Sequence, residues 1–226
     1  YALTYGNLPW AFMSLLYGAG GTLENDMDDL TKDVWRKPME KLKEAYDAGV
    51  IAPMDVDGEQ AFGSGKAVFA QLGTWAQGNM SNTLGADKIA EANTLQYSAD
   101  NPVNFFYQCN WMQLKDPHRS AAKSAAAADF VKYVYEHWMD WSEVGSISPA
   151  YRDLNNPEYQ KLIQASFTNS KKERDYIKTS NYLYGGYATA GWGTYNDIVY
   201  GNVGLEEGLK TLDLMAQGQI EIQEES

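Results

Sequence analysis

Apolar residues recur at helical spacing through most of this chain, and only two brief runs have the character of strands. Residues 8–17, LPWAFMSLLY, are apolar and aromatic and run into Gly18-Ala19-Gly20-Gly21. That predicts a short buried helix closed by a glycine turn. Between about Asp33 and Ala48, Trp35, Met39, Leu42 and Tyr46 fall on one helical face. Thr31 is the expected cap and Gly49 the expected terminator. Pro38 lacks an N–H and crowds the preceding turn, so the helix is expected to carry it in its opening turn. Residues 59–65, EQAFGSG, predict a short helical approach to a turn. The first strand-like run, AVFAQLGTW (67–75), stops at Gly73 and delivers Trp75 to a sheet edge or cleft. The second, VNFFYQCNWMQL (103–114), mixes polarity, with Cys109 as a half-buried filler.

The second half repeats the theme. Asp116 is a candidate cap with Pro117 as first helical residue, ahead of RSAAKSAAAADFVKYVYEHW. Ala122, Ala126, Phe130 and Val134 return every four residues, and the small side chains suit close approach to a sheet or helix. SEVGSISPAY (142–151) reads as a loop, and Asn156-Pro157 opens a predicted helix through about Phe167. Residues 182–195, YLYGGYATAGWGTY, are too irregular for a core strand. Regular structure resumes over Asn196–Val203, and a final amphipathic helix is led by Leu205, Leu209, Leu212 and Met215. Many helices with few strands predict an α/β or α+β fold, and no period of 20–50 residues suggests a repeat array. At 226 residues the chain suits one large domain or two small ones.

Charge narrows the partners. The formal charge is −12, with −6 in residues 21–60 and −5 in residues 206–226. A nucleic-acid partner is not expected, since neutralising phosphates needs clustered Lys and Arg. The acidic stretches read as solvated surface. One cysteine excludes an intrachain disulfide framework and a CxxC metal motif. The two histidines, His118 and His137, lack HExxH spacing, and catalytic zinc usually needs three protein ligands. No GxSxG occurs, and Gly63-Ser64-Gly65 reads as a turn. Asp26, Asp28, Asp29, Asp55, Asp57 and Glu59 could supply paired carboxylates, but so acidic a chain offers such pairs anywhere. Asp55-Val56-Asp57-Gly58 is only part of a calcium loop. Neither a cofactor nor a metal is expected. No apolar run approaches the roughly 20 residues needed to span a bilayer. The start at Tyr1, with no initiator Met, reads as a processed chain or a fragment whose targeting segment is missing.

The informative excess is aromatic: seven Trp, sixteen Tyr and seven Phe, many beside glycines or polar residues. An aromatic face can cover the C–H face of a sugar ring while neighbouring amides and carboxylates pair with its hydroxyls. Such a cleft needs no net positive charge. Trp35 and Trp138 lie in helical patterns and read as core. Trp75 and Trp192 each stand at a glycine-flanked boundary.

In order along the chain, WAFMSLLYGAGG (10–21), EAYDAGVIAP (44–53), QAFGSGKAVFAQLGTW (60–75), DPHRSAAKSAAAADFVKYVYE (116–136), GSISPAY (145–151) and GWGTYNDIVYGNVGLEEGLKTL (191–212) form a recognisable series. The chain resembles the solute-binding proteins of ABC importers, in the carbohydrate-binding group that includes maltose-binding protein. Phe62, Gly65, Lys66, Gly73 and Trp75 fit that family's pattern, while Val68 and Phe69 replace a small residue and a methionine. The resemblance implies a periplasmic-binding-protein-like type II two-lobed α/β fold, lacking most of the first lobe. Residues 1–116 and 166–226 would belong to the second lobe, and 117–165 would be a helical insertion returning to the first.

It further implies a non-enzymatic, monomeric receptor, extracellular or periplasmic, of a kind that can be lipoprotein-anchored through a missing N-terminus. Such a receptor binds a mono- or oligosaccharide and delivers it to a membrane permease. Carried over by position, Trp75, Trp192 and Trp10 match cleft aromatics, and Tyr187, Asn110 and Asn79 are weaker candidates for hydroxyl contacts. The rival readings are a carbohydrate-processing enzyme with paired carboxylates and a binding protein for a polyamine or peptide.

Overall fold

The computed structural model describes residues 1–6, 8–92, 94–105, 114–143, 155–165, 177–178, 188 and 190–224. The chain divides into two compact units. The first comprises Tyr1–Gly73, Ala92–Phe106 and Lys172–Ser226, and the second Thr74–Glu91 and Tyr107–Lys171. The 117–165 stretch thus falls in the second unit, together with residues 74–91.

In the first unit, β1 (Leu3–Tyr5) pairs in parallel with β2 (Phe69–Gln71), Leu3 opposite Phe69 and Tyr5 opposite Gln71. On its other side Leu3 bridges to Ile51. A second parallel pair joins β3 (Asn104–Phe105) to β4 (Ile177–Lys178). The strand expected over 67–75 is therefore only three residues long. Gly73 ends the extended run, and Thr74–Ala76 coil into a 3₁₀ turn. Cys109 and most of the second strand-like run lie outside the described residues.

Helices supply the core. α1 (Leu8–Gly18) buries every side chain but Trp10, as a helix apolar on all faces must. α2 (Asp33–Asp47) buries Trp35, Met39 and Leu42 on the predicted face. Gly49, at φ +72°, donates to the carbonyl of Tyr46 and closes the helix in the left-handed conformation that glycine tolerates. Two expectations change here. Thr31 does not cap α2, because its hydroxyl donates to Asp29 and Lys32 takes the cap position without a side-chain bond. Pro38 stands in the second turn, so the helix forgoes one backbone bond, to Val34. α3 (Gly58–Gly63) is capped by Asp57, whose carboxylate accepts from the Gln60 N–H at 2.8 Å.

α7 (Trp192–Val199) starts four residues earlier than predicted, and α8 (Leu205–Glu224) runs on to the end of the described chain. α8 buries Leu209, Leu212 and Ala216, while Met215 stays 44% exposed. Phe12 of α1 sits at the centre, stacked on Trp35 at 5.6 Å and tilted against Tyr195 at 5.4 Å. Polar clamps tie α8 to the loop before α2. The Asp213 carboxylate accepts from the Leu30 N–H at 3.0 Å, and the Gln217 amide donates to the Met27 carbonyl at 2.7 Å.

In the second unit, α4 (Gln77–Leu84) follows the 3₁₀ turn, and α5 (Ala121–Glu136) is followed by α6 (Trp138–Glu143). Ser120, not Asp116, caps α5, accepting from the Lys123 N–H; Asp116 instead closes a turn with the His118 N–H. Where a helix is predicted from Asn156, the Asn156 side chain accepts from the Glu158 and Tyr159 N–H groups as a cap does, and a 3₁₀ turn follows at Tyr159–Lys161; the predicted end at Phe167 lies outside the described residues. Tyr159 and Ala165 are buried with Trp138, Met139 and Leu162 packed around them. None of the side chains of α5 is buried, against the expectation that its alanines pack closely on a neighbour.

Candidate functional site

Trp10 and Trp192 meet. Their ring centroids are 5.8 Å apart with planes at 70°, an edge-to-face contact of the kind aromatic quadrupoles favour. Two helices create it. α1 carries Trp10 and, two residues on, Phe12, which point to different sides of the helix. α7 carries Trp192 and, three residues on, Tyr195. The inner pair, Phe12 with Tyr195, locks the two helices together, and the outer pair, Trp10 with Trp192, stands at the surface end of the same seam. Tyr195 is buried, donates to the Ala188 carbonyl, and has its phenol pushed far up by desolvation. Trp192 is 36% exposed and Trp10 half-buried.

Trp192 opens α7, and the residue before it fixes how closely that end approaches α8. Gly191 is buried, and a Cβ there would stand 2.5 Å from Leu212 Cδ2 and 3.2 Å from Met215 Sδ. Gly193 on the other side has open space. The indole is thus held by a tight backbone contact behind it and left uncovered beside it. The sequence reading missed Gly191 and Tyr195 as supports, having started the helix at Asn196. The three-residue spacing from Trp192 to Tyr195 was the signal that a helix already runs there.

The other predicted site residues are placed as follows. Trp75 lies in the 3₁₀ turn of the second unit and is 59% exposed. Asn79 lies in the first turn of α4 and is exposed. Asn110 and Tyr187 fall outside the described residues. An open depression of about 650 Å³ at the start of α5, lined by Leu114, Lys115, Asp116, Pro117, Arg119 and Ser124, includes none of these residues.

The acidic stretch 21–60 is spent locally. Lys32 holds the Asp28 carboxyl below the usual range, and the Thr31 hydroxyl does the same for Asp29. Asp33 is lowered by Lys37 and then Arg36, and Lys43 pairs with Asp47 at 2.8 Å. Asp26 accepts from the Thr22 N–H, and Asp57 is the cap of α3. Glu91, in the second unit, moves the other way, raised by burial. Among the described residues no group of three or more His, Cys, Asp or Glu could hold a metal ion. His137 stacks on Tyr133 at 3.9 Å, at the C-terminal end of α5. Among the described residues no helix is long and apolar enough to cross a membrane.

No protein-family profile matches the sequence, and no curated protein sequence matches it. Among solved structures, the chain is similar to the crystal structure of the cyclic alpha-maltosyl-1,6-maltose binding protein from Arthrobacter globiformis, with a TM-score of 0.65 at 15% identity. The likeness covers 96% of this chain and 59% of that one. It establishes a shared helix-rich α/β fold with a carbohydrate-binding protein.

Proposed function

We propose that the protein is a carbohydrate receptor, without a bond-breaking step, that works outside the cytoplasmic membrane and delivers its sugar to an ABC-type import permease. The observation that carries this reading is the exposed Trp192 against Trp10, on a fold shared with a sugar-binding protein. A pyranose ring presents C–H groups on one face and hydroxyls around its rim. The indole face of Trp192 receives the first by dispersion and quadrupole attraction, and the indole N–H groups can donate to the second. Trp75 supplies a further stacking face, and the side-chain amide of Asn79, one turn on, can both donate and accept. Tyr187 and Asn110 complete the proposed set.

The receptor is proposed to have the two-lobed type II architecture and to act as a monomer. Sugar stabilises the closed form of such a receptor by touching both lobes only when they are together, and the permease reads that form. The sugar bound by the structural neighbour makes α-linked glucose oligosaccharides the first class to test.

Calorimetry of the complete gene product against glucose, maltose, maltotriose and a cyclic α-linked tetrasaccharide tests the proposal. Saturable binding of at least one, recovered chemically unchanged, is expected. Binding of a polyamine or peptide in place of every sugar overturns it, as does release of a cleaved product.

A further inference from the structure

The chain has eight methionines, and their surroundings set one of them apart. Met13, Met27, Met39 and Met80 are buried, Met139 packs against Tyr159 and Ala165, and Met112 lies outside the described residues. Among the described residues the exposed methionines are Met54, at 53%, and Met215, at 44%. Met54 stands in the turn that the Val56 N–H closes on the Pro53 carbonyl. Met215 is placed differently. Its neighbours on α8, Leu212 and Ala216, are buried, and its sulfur lies so close to Gly191 that a Cβ there would stand 3.2 Å from it.

That contact ties an oxidisable group to the seat of Trp192. Gly191 directly precedes Trp192, and its carbonyl accepts from the Thr194 N–H at 2.8 Å as α7 begins. A shift of Gly191 is therefore passed to the first turn of α7 and to the indole it carries. As a thioether, Met215 is apolar and pliable, and it covers Gly191 without needing a hydrogen-bond partner. A sulfoxide at the same place is polar, and its oxygen needs water or a donor. The glycine side has no room for it, because an added carbon would already stand 2.5 Å from Leu212 Cδ2. The oxidised head must turn outward into water, and the Gly191 contact is lost.

We propose that Met215 is an oxidation site through which hydrogen peroxide displaces Trp192 and weakens sugar binding. The sulfur lone pair attacks one peroxide oxygen, and the S–O bond forms as the O–O bond breaks. The departing hydroxide takes the proton left on the transferred oxygen and leaves as water. Sulfur gives up two electrons, and the peroxide oxygen is reduced. Methionine sulfoxide reductases, one for each epimer at sulfur, reverse the step. The weakening of binding rests on the reading of Trp192 as a sugar-stacking residue, whereas the displacement of the indole rests on the packing alone.

The test treats the complete gene product with hydrogen peroxide and follows each methionine by peptide mass mapping. Met215 and Met54 are expected to gain one oxygen each while Met13 and Met39 stay reduced. The indole N–H resonance of Trp192, assigned with Trp192→Phe, and calorimetry with the four sugars named above are recorded before and after treatment. The resonance is expected to shift and sugar affinity to fall about five- to a hundredfold, the range for loss of one stacking ring. Met215→Leu, close in volume and without sulfur, should hold its own affinity to within about twofold through the same treatment. Met54→Leu should give no such protection, and incubation with both methionine sulfoxide reductases should restore the parent. Absence of sugar binding before treatment overturns the reading of the seat, and with it the effect on binding. The proposal fails on its own account if sugar binds beforehand and oxidation of Met215 leaves resonance and affinity unchanged. It fails equally if Met215 stays reduced while Met54 oxidises, or if Met54→Leu protects as well as Met215→Leu.

Discussion

Trp192 shows what a single residue can and cannot supply. Its ring is about one-third exposed, and the proposed stacking uses the exposed part while the edge contact with Trp10 holds the plane. Trp192→Ala is expected to weaken sugar binding in the complete gene product by about 1–3 kcal/mol, taking base–aromatic stacking as the guide. Trp75→Ala should give a loss in the same range, and calorimetry separates both from a folding defect if the unfolding midpoint is unchanged. Binding like the parent in both variants would make the two tryptophans structural. Asp33 carries a different kind of prediction, because Lys37 and Arg36 hold its carboxyl below the ordinary 3.8. The folded state therefore binds this proton less readily than the unfolded state. The resulting stability is fully present above the unfolded value and is lost as the pH falls through the lowered one. Asp33→Asn should lower the thermal midpoint at pH 7, have a progressively smaller effect as the pH falls below 3.8, and lose influence in high salt because the pair is exposed. A shift that does not diminish as the pH falls would mean that α2 depends on Asp33 for something other than charge.

At the level of the element, the sequence was most legible where a pattern was long and its competition weak. α2 declared itself through Trp35, Met39, Leu42 and Tyr46, and α1 through an unbroken apolar run; both bury most of what the pattern asked, with Tyr46 and Trp10 left half-buried. Caps were less legible, because Ser, Thr, Asp and Asn compete for them. Thr31 went to Asp29, Asp116 to a turn, and Ser120 took α5, all decided by contacts within a few residues that spacing does not rank. Close packing was less legible still. Gly208 lies inside α8, where intrinsic propensity favours alanine by up to about 1 kcal/mol. Yet a Cβ there would stand 2.2 Å from Ile198 Cγ1, 2.6 Å from Ile198 Cδ1 and 3.2 Å from Val203 Cγ1. Gly208→Ala should therefore destabilise the first unit by about 1–3 kcal/mol, the usual cost of overpacking, despite the gain in helix propensity. Chemical denaturation reads this directly, and a stabilised variant would show that α7 can move off α8 at little cost. The paired tryptophans were legible as candidates and illegible as a pair, since their meeting depends on the seam between α1 and α7.

Among the described residues the two units hold unequal cores, and that inequality should be visible as the chain unfolds. The first unit gathers Phe12, Met13, Leu16, Trp35, Met39 and Leu42 with Tyr195, Ile198, Leu209 and Leu212 into one cluster. In the second, the described core is Tyr159 and Ala165 with Trp138, Met139 and Leu162 against them, and α5 contributes no buried side chain. Apolar area removed from water is the main favourable term in folding, so the 226-residue chain should lose its second unit at lower denaturant than its first. A two-state description then fails for the chain as a whole, and each transition answers to its own core. Phe12→Ala is expected to cost about 3–5 kcal/mol in the later transition and leave the earlier one in place. Tyr159→Ala should do the reverse, eliminating or advancing the earlier transition while near-ultraviolet dichroism from Trp35 and Tyr195 persists. A single transition that both variants shift alike would show that the units fold as one, and would locate the stability of the second unit in contacts beyond its own small cluster.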